Sequence, residues 1–144
     1  MTEPILVSAR LTRRLDAAPE RVFDAWLDPK VASRWLFTSS TSQANDTQID
    51  ARVGGKWRIS DRRGDVDYMG HGEYLEIDRP RRLVFTFGMP QFSPAFNRVT
   101  VEIEPDGTGS ILTLTHEGVP ESDKAGLEMG WGDMFDHLTT VLAS

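Results

Sequence analysis

The sequence contains no cysteine among its 144 residues. Disulfide frameworks, thiolate metal sites and cysteine nucleophiles are therefore all excluded. Basic residues are not in excess, because 16 Lys and Arg stand against 22 Asp and Glu, for a formal net charge of -6. Nucleic acid is thus not an expected partner, since binding it requires a positive surface. The sequence also lacks any run of ~18 apolar residues and any basic N-terminal segment followed by an apolar one, so we expect a cytoplasmic protein without a membrane partner.

What is present indicates a single α+β domain over residues 1–144, because ~150 residues usually form one domain. Residues 5–15 alternate apolar and polar side chains, which predicts a half-buried strand. Pro19 then begins a short amphipathic helix that Asp28-Pro29 ends. The spacing of Val31, Trp35 and Leu36 predicts a second short helix directly after it.

The middle of the chain predicts an antiparallel meander. Thr38–Asp46 is polar and is predicted to be a loop, and period-two patterns recur from Thr47 onward. Gly54-Gly55 has the arrangement of a two-residue hairpin, and Asp106-Gly107 marks a later turn. Such short connections favour antiparallel pairing, because parallel strands need long crossovers. The expected total is about six or seven strands.

The last part of the chain changes to helical periodicity. Apolar residues recur at helical spacing at Trp131, Met134, Phe135, Leu138, Val141 and Leu142. This long helix is the only element able to cover the apolar face of the sheet, so a curved sheet wrapped around it is expected. Gly126, Gly130 and Gly132 lie within or beside its start, where small residues either widen the mouth of a cavity or mark an irregular first turn.

Blocks of residues along nearly the whole chain resemble a known superfamily. They include Ala18-Pro19-Glu20-Arg21-Val22-Phe23-Asp24-Ala25-Trp26, Gly54-Gly55-Lys56-Trp57, Gly72-Glu73-Tyr74-Leu75-Glu76-Ile77-Asp78-Arg79-Pro80, Leu83-Val84-Phe85-Thr86-Phe87 and Gly130-Trp131. In this order they are similar to the START-like (SRPBCC) superfamily of birch-pollen-allergen-like proteins. Within this superfamily, the blocks are most similar to the group that resembles the C-terminal domain of the heat-shock-protein-ninety ATPase activator. The resemblance implies the helix-grip fold and leaves the activity open, because this superfamily includes lipid binders, cyclases, hormone receptors and co-chaperones.

Two sets of residues are candidates for a binding site. The aromatic set is expected to face the space between the sheet and the last helix, with Trp35 near the rim. It either lines a ligand cavity or simply fills the core. Its members are Trp35, Trp57, Phe85, Phe87, Trp131 and Phe135. The second set, Met69, His71 and Glu73, shares a strand phase with Leu75 and Ile77, which we take as inward.

His116 shares the inward phase of a later strand with Leu112 and Leu114. We hypothesise that His71, Glu73 and His116 meet at one end of the cavity, where they orient a ligand or act as general acid and base. A slip of one residue in the phase would turn such a group to solvent. The polar loop Thr38–Asp46 and the loop Met89–Pro94 are candidates for the entrance.

Metal and cofactor sites are not predicted. Asp133, Asp136 and His137 have a spacing that can bind a metal, but they lie on the polar face of the last helix, where an exposed ion pair is expected instead. We expect a domain that binds a small apolar molecule, a homodimer being compatible with the sequence. A polyketide cyclase or dehydratase type of enzyme and a chaperone-associated interaction module remain the alternatives, and binding is favoured over catalysis.

Overall fold

The structure is a computed structural model of the chain. It describes residues 5–37, 42–89 and 96–143, without the side chains of residues 42–45 and 63. The predicted entrance loops therefore fall partly outside the described residues, at 38–41 and 90–94. Among the helices of the described ranges, none has the length and apolar character needed to cross a membrane.

Seven strands and three α-helices follow one another along the described ranges of the chain. Their order is β1 (Leu6–Leu15), α1 (Pro19–Leu27), α2 (Pro29–Ala32), β2 (Ser42–Ile49), β3 (Lys56–Arg63), β4 (Val66–Asp78), β5 (Arg82–Phe87), β6 (Asn97–Asp106), β7 (Gly109–Pro120), a 3-10 turn (Glu121–Asp123) and α3 (Lys124–Ala143). The strands form one antiparallel sheet in the order β1-β7-β6-β5-β4-β3-β2. The predicted α+β class and helix-grip architecture are confirmed.

Helix α1 begins and ends where the sequence signals it, whereas α2 begins as predicted and ends early. Pro19 occupies the first turn of α1, and the residues of this helix that are buried against the sheet are Val22, Phe23, Ala25 and Trp26. Asp28 ends α1 and caps α2, because its carboxylate accepts the backbone N–H of Lys30 at 3.0 Å. The helix α2 has only four residues, so Trp35 and Leu36, predicted to lie on it, follow it in a turn instead.

Helix α3 covers the inner face of the sheet. Its buried residues, Trp131, Phe135, Leu138 and Leu142, recur every three or four positions, as predicted. The three glycines lie within this helix; an added Cβ would meet open space at Gly126 and Gly130, and would contact Leu11 of β1 at Gly132. The core therefore sits between α1, α3 and the concave face of the sheet.

The predicted loop Thr38–Asp46 is wrong from Ser42 onward, where strand β2 begins. This strand lies at the edge of the sheet and pairs with β3 alone. An edge strand is held by backbone hydrogen bonds to its neighbour and tolerates polar side chains, so a polar sequence there does not exclude a strand.

The predicted two-residue hairpin at Gly54-Gly55 is also wrong, because residues 50–55 connect β2 to β3. The two glycines instead pair with β4. The Gly54 N–H donates to the Tyr74 carbonyl at 2.9 Å, and the Tyr74 N–H donates to the Gly55 carbonyl at 2.9 Å. Gly54 has a φ of 83°, which favours glycine. The connection thus supplies a backbone partner to β4 at the point where this strand leaves its regular register with β5.

Candidate functional site

The rings between the sheet and α3 form one continuous aromatic cluster. Trp26 meets Trp35 edge to face with ring centroids 4.7 Å apart, and Phe37 stacks on Trp57 at 5.4 Å. The six predicted aromatic residues all belong to it: Trp35, Trp57, Phe85, Phe87, Trp131 and Phe135. They are buried, including Trp35, which was expected near the rim and has no exposed surface.

The cavity inside this cluster is small. Its volume is about 10 Å³, and it is lined by Trp26, Leu36, Phe37, Ile49, Trp57, Ile59, Tyr74, Leu83 and Phe85. A volume of ~10–15 Å³ is the least that holds one water molecule. In this conformation the aromatic residues mainly fill the core, which is the second of the two alternatives that the sequence left open.

The inward orientation expected of Met69, His71 and Glu73 is wrong. The buried residues of β4 are Gly70, Gly72 and Tyr74. The two glycines make room for the Trp57 indole, whose ring carbons would lie 3.4 Å from a Cβ on Gly70 and whose Nε1 would lie 2.7 Å from a Cβ on Gly72. A Cβ on Gly72 would in addition overlap the Thr86 carbonyl, so this phase has small residues beside Trp57 and faces inward, and the alternate residues face outward. They include Leu75, which is 42% exposed.

His71 and Glu73 therefore lie on the outer face of the sheet. They line a shallow depression of about 390 Å³ together with Lys56, Gly72, Thr86 and Phe96. The rings of His71 and Phe96 are 5.0 Å apart. Met69 is also directed outward, and its sulfur accepts the Nε of Arg58 at 3.0 Å. The structure thus does not bring His71, Glu73 and His116 together.

His116 faces inward as predicted and is fully buried. Its Nδ1 accepts the indole N–H of Trp131 at 3.2 Å, so its Nε2 carries the proton and donates to Asn97 Oδ1 at 3.2 Å. Asn97 Nδ2 donates in turn to the Gly118 carbonyl at 3.0 Å. Burial lowers the pKa of His116 to about 4, so the imidazole is neutral at physiological pH.

A groove opens where this hydrogen-bonded chain reaches the surface, and we call it the α3 groove. It has a volume of about 680 Å³ and is lined by Leu6, Phe87, Gly88, Met89, Asn97, Gly118, Val119, Pro120, Ser122, Asp123, Gly126 and Leu127. Of the predicted site residues it contains Phe87, and His116 lies behind it, in contact with Phe87 at a ring distance of 5.2 Å. Met89, from the predicted entrance loop, and Gly126, predicted to widen the mouth, lie on its walls.

Four notable residues are not among the predicted site residues. Trp26 lies on the predicted amphipathic helix, and the sequence patterns single out neither Phe37 nor Asn97. Asp61, which is 1% exposed, follows the inward phase of Trp57 and Ile59 on β3, so its position was available from the alternation. The partners of the other three depend on contacts between distant elements, and no local pattern signals those.

Asp133, Asp136 and His137 of α3 have the spacing of metal ligands, and one of them, Asp136, makes an ion pair at the surface. Asp136 accepts Arg13 of β1 at 2.7 Å, and its side chain is well exposed. Among the residues that the structure describes, no group of three potential metal ligands comes together. That the chain holds no metal stays a prediction.

A family model described as "Activator of Hsp90 ATPase homolog 1-like protein" matches residues 16–143. The chain belongs to this family. The match to the Hsp90-activator-like family includes the α1 residues, the β2–β3 connection and α3, so it contains the aromatic cluster and all of the α3 groove except Leu6. The resemblance noted in the sequence is thus confirmed. No curated protein matches the chain.

Solved structures share the fold of this Hsp90-activator-like domain. A protein of Chromobacterium violaceum superposes with a TM-score of 0.87 at 27% sequence identity, covering 95% of this chain and 97% of that one. A protein of unknown function from Staphylococcus aureus has a TM-score of 0.84 at 21% identity, covering 98% and 96%. DynU16, from the dynemicin biosynthetic locus, has a TM-score of 0.78 at 19% identity, covering 95% of this chain and 47% of its own. The last two likenesses concern the fold alone.

Proposed function

We propose that this domain binds a small, largely apolar molecule in the α3 groove. The observation that carries the proposal is the groove itself: about 680 Å³ of open space with mostly apolar walls and three polar side chains, Asn97, Ser122 and Asp123. Small-molecule sites commonly have volumes of ~300–1,000 Å³, apolar linings and a few fixed polar groups. The interior between the sheet and α3, with a cavity of about 10 Å³, has no such room.

Asn97 is the polar group that would orient the ligand. Its amide is held at both ends, because Oδ1 accepts from His116 and Nδ2 donates to Gly118. Each of these atoms retains one further hydrogen-bonding position, since an amide oxygen has two lone pairs and an amide nitrogen two hydrogens. A fixed amide costs little conformational entropy when a ligand binds to it. His116 and Trp131 thus act as positioning residues behind the groove.

The His116 geometry favours binding over catalysis. Both of its ring nitrogens already have partners, Trp131 and Asn97, and the ring has no exposed surface. A general acid or base must reach the reacting proton directly or through one water. The cyclase or dehydratase alternative would therefore require this hydrogen-bonded chain to open.

The chaperone-associated alternative needs a continuous exposed apolar patch. Within the described ranges, the exposed large hydrophobic residues come from different elements and connections, with only Ile5 and Leu6 adjacent in sequence; the others are Val53, Val66, Leu75, Phe96 and Met129. This dispersion favours the small molecule as the partner. The cytoplasmic location and the homodimer stay predictions.

The proposal is tested with 1-anilinonaphthalene-8-sulfonate as the probe, an aromatic anion whose fluorescence rises when its rings enter an apolar site. Gly126→Leu places a side chain in the groove, whereas Gly130→Leu, the matched control, adds the same side chain one turn later on α3, where an added Cβ also meets open space. Saturable binding to the wild type should weaken by about tenfold or more in Gly126→Leu and change by less than about twofold in Gly130→Leu. Equal affinities of the two variants would refute the groove as the site.

Native mass spectrometry provides a second measurement. A small molecule that co-purifies with the wild type should be lost from Gly126→Leu and kept by Gly130→Leu. Retention by both variants would place the bound molecule outside the groove.

A further inference from the structure

Trp26 differs from the other three tryptophans in the state of its indole N–H. Trp35 Nε1 donates to the Ala25 carbonyl at 3.0 Å, Trp57 Nε1 to that of Thr86 at 3.1 Å, and Trp131 Nε1 to His116 at 3.2 Å. Trp26 is 2% exposed, and among the residues that the structure describes none accepts a hydrogen bond from its Nε1. A buried donor without an acceptor retains its full cost of desolvation, so this N–H requires an explanation.

The side chain with this unpaired donor lines the small inner cavity. The walls of the cavity are aliphatic and aromatic apart from the Tyr74 phenol and the indole nitrogens, and the Trp57 nitrogen is already bonded. A buried water normally makes about three hydrogen bonds, and these walls offer it fewer partners. An apolar molecule with a single acceptor atom matches the walls better, because it satisfies the N–H and otherwise makes apolar contacts.

Among the aromatic residues that line this cavity, Phe37 alone is not fully buried, so its ring is the one with space to move. It is half-buried, and its φ of 55° places a bulky residue in the left-handed region, a strained conformation that is found mainly where surrounding contacts hold it. Its ring stacks on Trp57 with an interplanar angle of 9° and touches Phe87, which lines the α3 groove. Rotation of Phe37 would join the groove to the cavity and leave the Trp57 face open to another flat ring.

We propose that the inner cavity is the end of the ligand site, and that it takes a planar aromatic ring bearing one hydrogen-bond acceptor. The ring replaces Phe37 on Trp57, and its acceptor atom receives the N–H of Trp26. This inference rests on the proposed function in one respect, since the ligand enters through the α3 groove. It deepens that function by naming the ligand class as a flat, apolar, acceptor-bearing molecule.

Quinoline and naphthalene are the matched probes, because they have the same shape and differ by one ring nitrogen, which is an uncharged acceptor above neutral pH. The affinity ratio of quinoline to naphthalene is measured by displacement titration in the wild type, in Trp26→Phe and in Trp35→Phe. The ratio should fall about fivefold in Trp26→Phe, as expected for the loss of one hydrogen bond, and remain unchanged in Trp35→Phe, the control whose N–H already has an acceptor. Phe37→Ala should strengthen the binding of both probes.

A second measurement needs only the wild-type chain. The four indole N–H resonances are followed by ¹H–¹⁵N NMR during titration, and the Trp26 resonance should move downfield with quinoline and not with naphthalene. Equal responses to the two probes, or an unchanged Trp26 resonance at saturating quinoline, would overturn the inference. So would an upfield Trp26 resonance unaffected by quinoline, because it would show that the N–H already points at the face of Trp35.

The two proposals fail separately. If Gly126→Leu abolishes binding of the anilinonaphthalene probe but the affinity ratio is the same in Trp26→Phe as in the wild type, the groove stands and the inner site is refuted. If quinoline shifts the Trp26 resonance equally in the wild type and in Gly126→Leu, the inner site stands and entry through the groove is refuted.

Discussion

Protonation of His116 should destabilise the fold as the pH falls. The buried imidazole has a pKa of about 4, lowered from the ordinary value of 6.5 by desolvation. Between these two values the unfolded chain binds a proton that the folded chain does not, so the free energy of unfolding decreases with decreasing pH. The stability that the neutral, buried His116 contributes is therefore fully present above pH 6.5 and is progressively lost as the pH falls towards about 4.

The magnitude follows from the same two values. The difference between the His116 pKa of 6.5 in the unfolded chain and about 4 in the folded chain corresponds to about 3 kcal/mol of unfolding free energy, at about 1.36 kcal/mol for each pKa unit. Between about pH 7 and about pH 4.5 the expected loss is about 2 kcal/mol, because protonation of the folded state limits it near the lower pKa. The groups that touch the ring are the neutral side chains of Phe87, Asn97 and Trp131, so the effect arises from burial.

The assay is urea unfolding followed by tryptophan fluorescence at both pH values. His116→Gln keeps a neutral donor and acceptor, so wild type should lose about 2 kcal/mol more than this variant on acidification, a relative midpoint shift of about 1 M urea. The carboxylates titrate in both proteins and cancel in the difference. His71→Gln, on the outer face of the sheet, controls for the loss of one histidine elsewhere in the chain. Parallel curves for wild type and His116→Gln would refute the buried neutral imidazole.

Three further outcomes follow from the fold. Gly72→Ala should cost about 3 kcal/mol or more in urea unfolding, because the new Cβ would overlap the backbone of β5, whereas Gly70→Ala, with its nearest contacts at 3.4 Å, should cost less than about 1 kcal/mol. Gly130→Ala should raise the melting temperature by about 3 °C, since it removes a helical glycine worth about 1 kcal/mol and meets open space; a lowered temperature would contradict this. Asp24→Asn should lower the free energy of unfolding by under about 1 kcal/mol, because the ion pair with Arg79 that lowers the Asp24 pKa is exposed. Thermal unfolding at low and high salt measures this loss, and a loss that does not shrink with salt would contradict the reasoning.

Elements with an unambiguous periodicity could be predicted from the sequence. Helix α3 is an example, because its apolar residues repeat at helical spacing over several turns and only one face can be buried. The strand β7 is another, since Leu112, Leu114 and His116 share one phase and are all buried. In such segments the burial pattern is a local property that neighbouring residues already encode.

The phase of β4 could not be read in the same way. Apolar residues occur at Met69, Leu75 and Ile77, whereas the phase that the structure buries begins with two glycines. The choice depends on Trp57, which comes from β3 and occupies the space above those glycines. The register then shifts between Tyr74 and Glu76, so Ile77 still packs against the core although Met69 does not. A bulge of this kind changes which residues face inward partway along a strand.

The sequence by itself determined the charge, the absence of cysteine, the order of most elements and the composition of an aromatic core, because these depend on residue types and on short-range spacing. Tertiary structure alone decided which aromatic residues touch, how little space they leave, and which polar atoms find partners. The N–H of Trp131 meets His116, and that of Trp26 meets no acceptor in the described part of the chain. Both residues are buried tryptophans in amphipathic helices, so only the three-dimensional packing of distant elements distinguishes them.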